Sequence, residues 1–170
     1  MSSEWTRTMM ALALVAGAAA CGKGDNNTGP TSQTFVANLS PTSELSLKTP
    51  SQASGKATFT VTGNQIVLTS LTVQNIDSVT ASHIHLAAAG VNGAIAVPLL
   101  ALNPASGHIA SQALLSNVPI DQTTIISTGG GAPAITVDSL LVLFRNGGAY
   151  VNVHTKANPA GEMRGQIVQQ

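Results

Sequence analysis

Three histidines carry most of the chemistry this chain can offer. His83 and His85 stand two apart in Ala81-Ser82-His83-Ile84-His85-Leu86. In a strand successive side chains alternate between faces, so both imidazoles leave the same face with attachment points about 7 Å apart. His154 lies in Tyr150-Val151-Asn152-Val153-His154-Thr155, where the same alternation groups it with Tyr150 and Asn152. If the two strands are neighbours, three neutral imidazoles converge, a donor set suited to copper or zinc. The same residues support a second reading. Glu162 can accept a hydrogen bond from His154, or pair with Arg164 two residues on. Tyr150, His154, Glu162 and Arg164 then form a structural polar network that fixes strand register. His108 follows a loop and reads as a solvated residue.

Enzyme templates find little support. There is no Gly-x-Ser-x-Gly elbow, no His-Glu-x-x-His and no dinucleotide fingerprint. Asp77, Asp121 and Asp138 each sit near turns or helix caps, which accounts for them. No catalytic residue is assigned.

Composition narrows the partners. Seven basic and seven acidic residues cancel, and charged residues make up 8% of the chain. With no basic run, nucleic-acid binding is excluded, because that needs a dense positive footprint. The abundance of Val, Ile and Leu argues against global disorder. A single cysteine excludes an intramolecular disulfide framework and a Cys-rich zinc site.

That cysteine follows an address. Met9 to Ala20, MMALALVAGAAA, carries no charge. It is too short to span a bilayer, which takes about 20 apolar residues, and it fits the apolar core of a secretory signal. Arg7 precedes it, and Ala18-Ala19-Ala20 leads into Cys21. This ending resembles a bacterial lipoprotein signal, although Ala18 stands where that family usually has Leu. The resemblance implies cleavage after Ala20 and lipid attachment to Cys21. Residues 21–32 include GKGDNNTGPTS, which reads as a flexible tether between the anchor and a domain over 33–170.

The body reads as strands. Thr34–Leu39, Lys56–Thr62, Gln65–Gln74, Val79–Leu86, Ala94–Leu102, Gly107–Leu115, Tyr150–Thr155 and Glu162–Gln169 alternate apolar and polar residues between turn signals. Gly63-Asn64 predicts a hairpin, and Pro98 predicts an edge strand or a bulge. One segment differs: Leu140, Leu141, Leu143 and Phe144 form one side of a short helix near residues 138–147. Asp138 or Ser139 is its expected cap, and Gly147 or Gly148 its end. Many short strands with one helix imply an all-β antiparallel sandwich or Greek-key barrel. With only five aromatic residues, its core must be aliphatic.

The histidine segments also carry a resemblance. Ile84-His85 near Gly90-Val91-Asn92-Gly93, then Tyr150-Val151-Asn152-Val153-His154-Thr155, then Pro159-Ala160-Gly161-Glu162-Met163-Arg164-Gly165, resembles the chordin-type (CHRD) domain from about Gln33 to the C-terminus. The resemblance implies an immunoglobulin-like or superoxide-dismutase-like fold and no agreed biochemical activity. A His-x-His strand with a distant His is also the arrangement of superoxide-dismutase-like copper sites, but that pattern has more histidines, one of them bridging.

The sequence therefore predicts a non-enzymatic, lipid-anchored CHRD module in the cell envelope, at the outer membrane where the organism has one. Its partner would be an extracytoplasmic protein or matrix component. The alternative is a copper- or zinc-binding protein using His83, His85 and His154.

Overall fold

The computed structural model describes residues 31–126 and 134–170. The signal segment, Cys21 and all but the last two residues of the tether lie outside them. Among the described residues, no helix is long and apolar enough to cross a membrane.

Among the described residues, nine strands form two antiparallel sheets that face each other across a core of aliphatic side chains and three phenylalanines. They are β1 Ser32–Leu39, β2 Ser54–Thr62, β3 Gln65–Asp77, β4 Val79–Leu86, β5 Ala94–Ala101, β6 His108–Ile120, β7 Tyr150–Thr155, β8 Met163–Gln166 and β9 Val168–Gln169. One sheet has the order β6-β3-β2-β1-β9 and the other β5-β4-β7-β8. The alternation that marked the strands decides which side chains enter the core. From β2, Ala57, Phe59 and Val61 are buried; from β4, Ile84; from β7, Val151 and Val153. The Gly63-Asn64 turn joins β2 to β3, with Thr62 opposite Gln65.

Among the described residues the one α-helix, α1 Val137–Arg145, starts earlier than its apolar run suggested. Thr136 caps it by accepting from the Ser139 N–H at 3.1 Å, so neither Asp138 nor Ser139 is the cap. Asp138 instead sits in the first turn, where its charge complements the helix dipole. At the other end Gly147 takes φ +64 and the Gly148 N–H returns to the Leu143 carbonyl at 2.8 Å. The helix drives Phe144 between Phe35 and Phe59, with ring centroids 5.7 and 5.2 Å away in edge-to-face contact. The three phenylalanines are thus spent together in one aromatic knot.

Three segments depart from the sequence reading. β3 runs on to Asp77 past a bulge near Leu71, and β6 runs on to Ile120 through Asn117 at φ +53. The expected last strand is two strands. β8 belongs to one sheet and β9 to the other, and the fully buried Ile167 carries the chain across. Alternating side chains could not reveal this, because a chain that changes sheets keeps burying apolar residues without changing its pattern.

Beyond β1 the chain turns through a short 3₁₀ turn, Pro41–Ser43. Ser40 bridges Arg164 of β8 through two backbone hydrogen bonds, at 3.0 and 3.2 Å. This path brings residues 44–51 to the outer face and end of the β4-β7-β8 sheet, where the histidines lie.

Candidate metal centre

β4 and β7 are hydrogen-bonded neighbours, with His83 opposite Asn152 and His85 opposite Tyr150. Ala81 pairs with His154, so His154 reaches His83 diagonally across the ladder. Ile84 points into the core and the imidazoles point the other way. On the far side β5 pairs with β4 through two irregularities that bracket His83 and Ile84, with Pro98 opposite His83. β5 is an edge strand, so Pro98 satisfies both parts of its expectation.

The three rings converge. His83 Nδ1 lies 2.9 Å from His154 Nε2, and one nitrogen from each of the three histidines lies within 4.8 Å of the others. Two of the rings are oriented by backbone carbonyls. His85 Nδ1 donates to the Gly93 carbonyl at 2.9 Å, and His154 Nδ1 donates to the Pro159 carbonyl at 3.0 Å. A carbonyl can only accept, so these two nitrogens carry the protons. In the neutral rings Nε2 is then an acceptor: His154 Nε2 takes the hydrogen bond that His83 Nδ1 donates, and His85 Nε2 is a bare lone pair. Backbone bonds of this kind orient and fix the tautomer of metal-binding histidines.

All three imidazoles are held neutral. Burial lowers the His83 pKa to about 4, helped by the neighbouring His154 and His85. Burial is also the main cause that lowers His85, with His154 and Arg164 adding to it. His154 is lowered by burial first and by Arg164 second, against an opposing pull from Glu44. Neutral nitrogen is the form that binds a metal.

Around the cluster lies a polar layer that the sequence located only in part. His85 stacks on Tyr150, with centroids 4.9 Å apart and planes 6° from parallel. The Arg164 guanidinium sits 4.5 Å from the Tyr150 ring centroid, and the Tyr150 hydroxyl accepts from the Gly93 N–H at 3.2 Å. Arg164 does not pair with Glu162. Its Nη2 meets Glu44 Oε2 at 2.7 Å and Asn92 Oδ1 at 2.6 Å.

Glu162 meets neither Arg164 nor His154. It lies one residue outside β8, where strand alternation no longer sets its direction. It accepts instead from Ser51 and Thr155 hydroxyls, each at 2.6 Å, and from Asn158 Nδ2 at 3.1 Å. Asn158 in turn accepts from the backbone of Lys48 and Thr49. Glu44, whose side chain is fully buried, and Asn158 are the members of this polar layer that the sequence reading leaves out. Glu44 sits in a loop with no periodic signal, and no local pattern marks it. His108 stays at the surface beside Asp77, 3.0 Å away.

A family model for the CHRD domain matches residues 35–167. The chain belongs to the CHRD domain family. The match spans all three histidines and the whole polar layer, so the cluster is part of the CHRD domain body. No curated protein and no solved structure matches the chain.

Proposed function

We propose that this CHRD domain is a non-enzymatic binding module that holds one copper or zinc ion between His83, His85 and His154, displayed outside the cytoplasm from a lipid-anchored Cys21. One observation carries the metal reading: three neutral imidazoles on two adjacent strands direct nitrogens to within 4.8 Å of one another. Their chemistry fits. Imidazole suits both ions, and the site has no thiolate to hold a soft cluster. The ion would take the place of the proton that His83 Nδ1 shares with His154 Nε2 and would supply a charge for the unpartnered His85 Nε2.

The anchor reading rests on the apolar stretch before Cys21 and the Ala18-Ala19-Ala20 run that meets it. The non-enzymatic reading rests on the lack of a nucleophile or acid–base pair in the sequence templates. The zero net charge of the chain fits neither nucleic acid nor a charged polymer as ligand.

Equilibrium dialysis of the purified domain against copper and against zinc tests the metal reading. One equivalent retained by the wild type and lost in the His83→Ala, His85→Ala, His154→Ala triple variant is the expected result. No stoichiometric uptake, or uptake unchanged in the triple variant, overturns it. Labelling cells with a palmitate analogue tests the anchor: label on the wild type but not on Cys21→Ala is expected, and equal labelling overturns it.

A further inference from the structure

Among the described residues, four buried side-chain polar atoms have no hydrogen-bond partner: Glu44 Oε1, Arg164 Nε, His85 Nε2 and Asn152 Oδ1. They fall into two pairs of different kind. Glu44 Oε1 is an acceptor and Arg164 Nε a donor, and they belong to one ion pair whose other atoms already meet at 2.7 Å. A small rotation towards a bidentate fork satisfies both.

His85 Nε2 and Asn152 Oδ1 cannot rescue each other. His85 has given its only proton to the Gly93 carbonyl, so Nε2 is a lone pair. Asn152 Oδ1 is a carbonyl oxygen and also only accepts. A buried acceptor without a donor costs about 1–3 kcal/mol, so two on one polar face of the β4–β7 pair call for an electropositive occupant.

Asn152 stands at the middle of the cluster. On β7 it lies between Tyr150 and His154 on the same face, and across the ladder it faces His83. Its side chain approaches both His83 and His85. It is 1% exposed, which is rare for an amide with an unused oxygen. Its backbone is pinned as well, since Ser82 Oγ donates to its carbonyl at 2.7 Å.

We infer that the Asn152 carboxamide oxygen is a fourth donor to the same ion, making a three-histidine, one-amide site for a divalent metal. This rests on the three-histidine reading above and adds its selectivity. An amide oxygen is a harder donor than imidazole and favours a divalent ion over monovalent copper.

The test is a competition titration of zinc into the wild type, Asn152→Ala and the isosteric Asn152→Asp. The Cu(II)-loaded proteins are then compared by electron paramagnetic resonance. If Asn152 is a ligand, Asn152→Ala binds zinc at least ten-fold more weakly. Asn152→Asp, which offers a charged oxygen at the same place, binds it at least ten-fold more tightly and changes the Cu(II) spectrum. If the amide is instead reversed and merely donates to His85, Asn152→Asp binds no more tightly and its Cu(II) spectrum matches the wild type. That outcome overturns this inference while the three-histidine reading stands. A wild type that binds neither ion overturns both. Asn152→Asp keeps the side-chain shape, so the test survives if Asn152→Ala does not fold.

Discussion

His83 Nδ1 and His154 Nε2 stand 2.9 Å apart although 71 residues separate them in the chain. The two strands that carry them are held together by core residues on the opposite face, Ile84 from β4 and Val151 and Val153 from β7. The position of the ring nitrogens is therefore set by the packing of the sandwich before any ligand arrives.

Acid should loosen the fold through His83. In the folded protein burial brings its pKa down from the ordinary 6.5 to about 4. Between those values the unfolded chain binds more protons than the native one, so stability rises with pH there. The contribution is complete above about pH 6.5 and is lost as pH falls towards 4. Urea midpoints of the metal-free protein should drop across this window. The drop should be shallower in His83→Gln, and equal slopes would remove His83 as the cause.

Glu44 should matter far more than a surface carboxylate. Its side chain is fully buried and the Arg164 guanidinium is nearly so. Removing one partner strands a buried charge, at a cost of about 3–5 kcal/mol. Glu44→Gln should lower stability by an amount in that range, measured by chemical denaturation. The double variant Glu44→Leu, Arg164→Met should recover part of the loss, because it leaves no charge behind. A loss below about 1 kcal/mol would place the pair among weak surface bridges.

Gly161 supports the same pair from below. Its φ is +136, and a Cβ there would come within 2.6 Å of Glu44 Oε1. Gly161→Ala should combine backbone strain, about 1–3 kcal/mol, with displacement of the Glu44 carboxylate. Its stability loss should shrink when combined with Glu44→Ala, and strictly additive losses would show that the carboxylate is not displaced.

In the core, Phe144→Ala should cost about 3–5 kcal/mol. It removes the ring that meets both Phe35 and Phe59, and with them the grip of α1 on the larger sheet. Thermal unfolding of the variant gives the measure; a change within about 1 kcal/mol would mean that the helix is not part of the cooperative core.

The legible part of this protein is the part that alternates. A period of two placed His83 with His85, and Tyr150 with Asn152 and His154, because a pleated strand leaves no other option. Pro98 announced an edge because it cannot donate to a second neighbour. Alternation carried on to Glu162 predicts a partner of His154 or Arg164, and its carboxylate instead meets Ser51, Thr155 and Asn158. Alternation ends with the strand, and residue 162 lies just past the end. Glu44 was invisible for a related reason. Its meaning comes from a loop that crosses the sheet, and only the tertiary path puts its carboxylate against Arg164, 120 residues away. Alternation puts Asn152 on the histidine face, with nothing to set it apart from other polar strand residues. What distinguishes it is an oxygen with no donor, a property of three dimensions alone.

The crossing at Ile167 gives the C-terminus a job that its short strands conceal. β8 completes the sheet that bears the histidines, β9 pairs with β1 in the other, and the Gln170 N–H still reaches the Thr34 carbonyl at 3.0 Å. Residues 163–170 thus work as a clasp over both layers. Deleting β9 would loosen the join between the layers, and with it the sheet that carries the imidazoles, from a place that none of them touches.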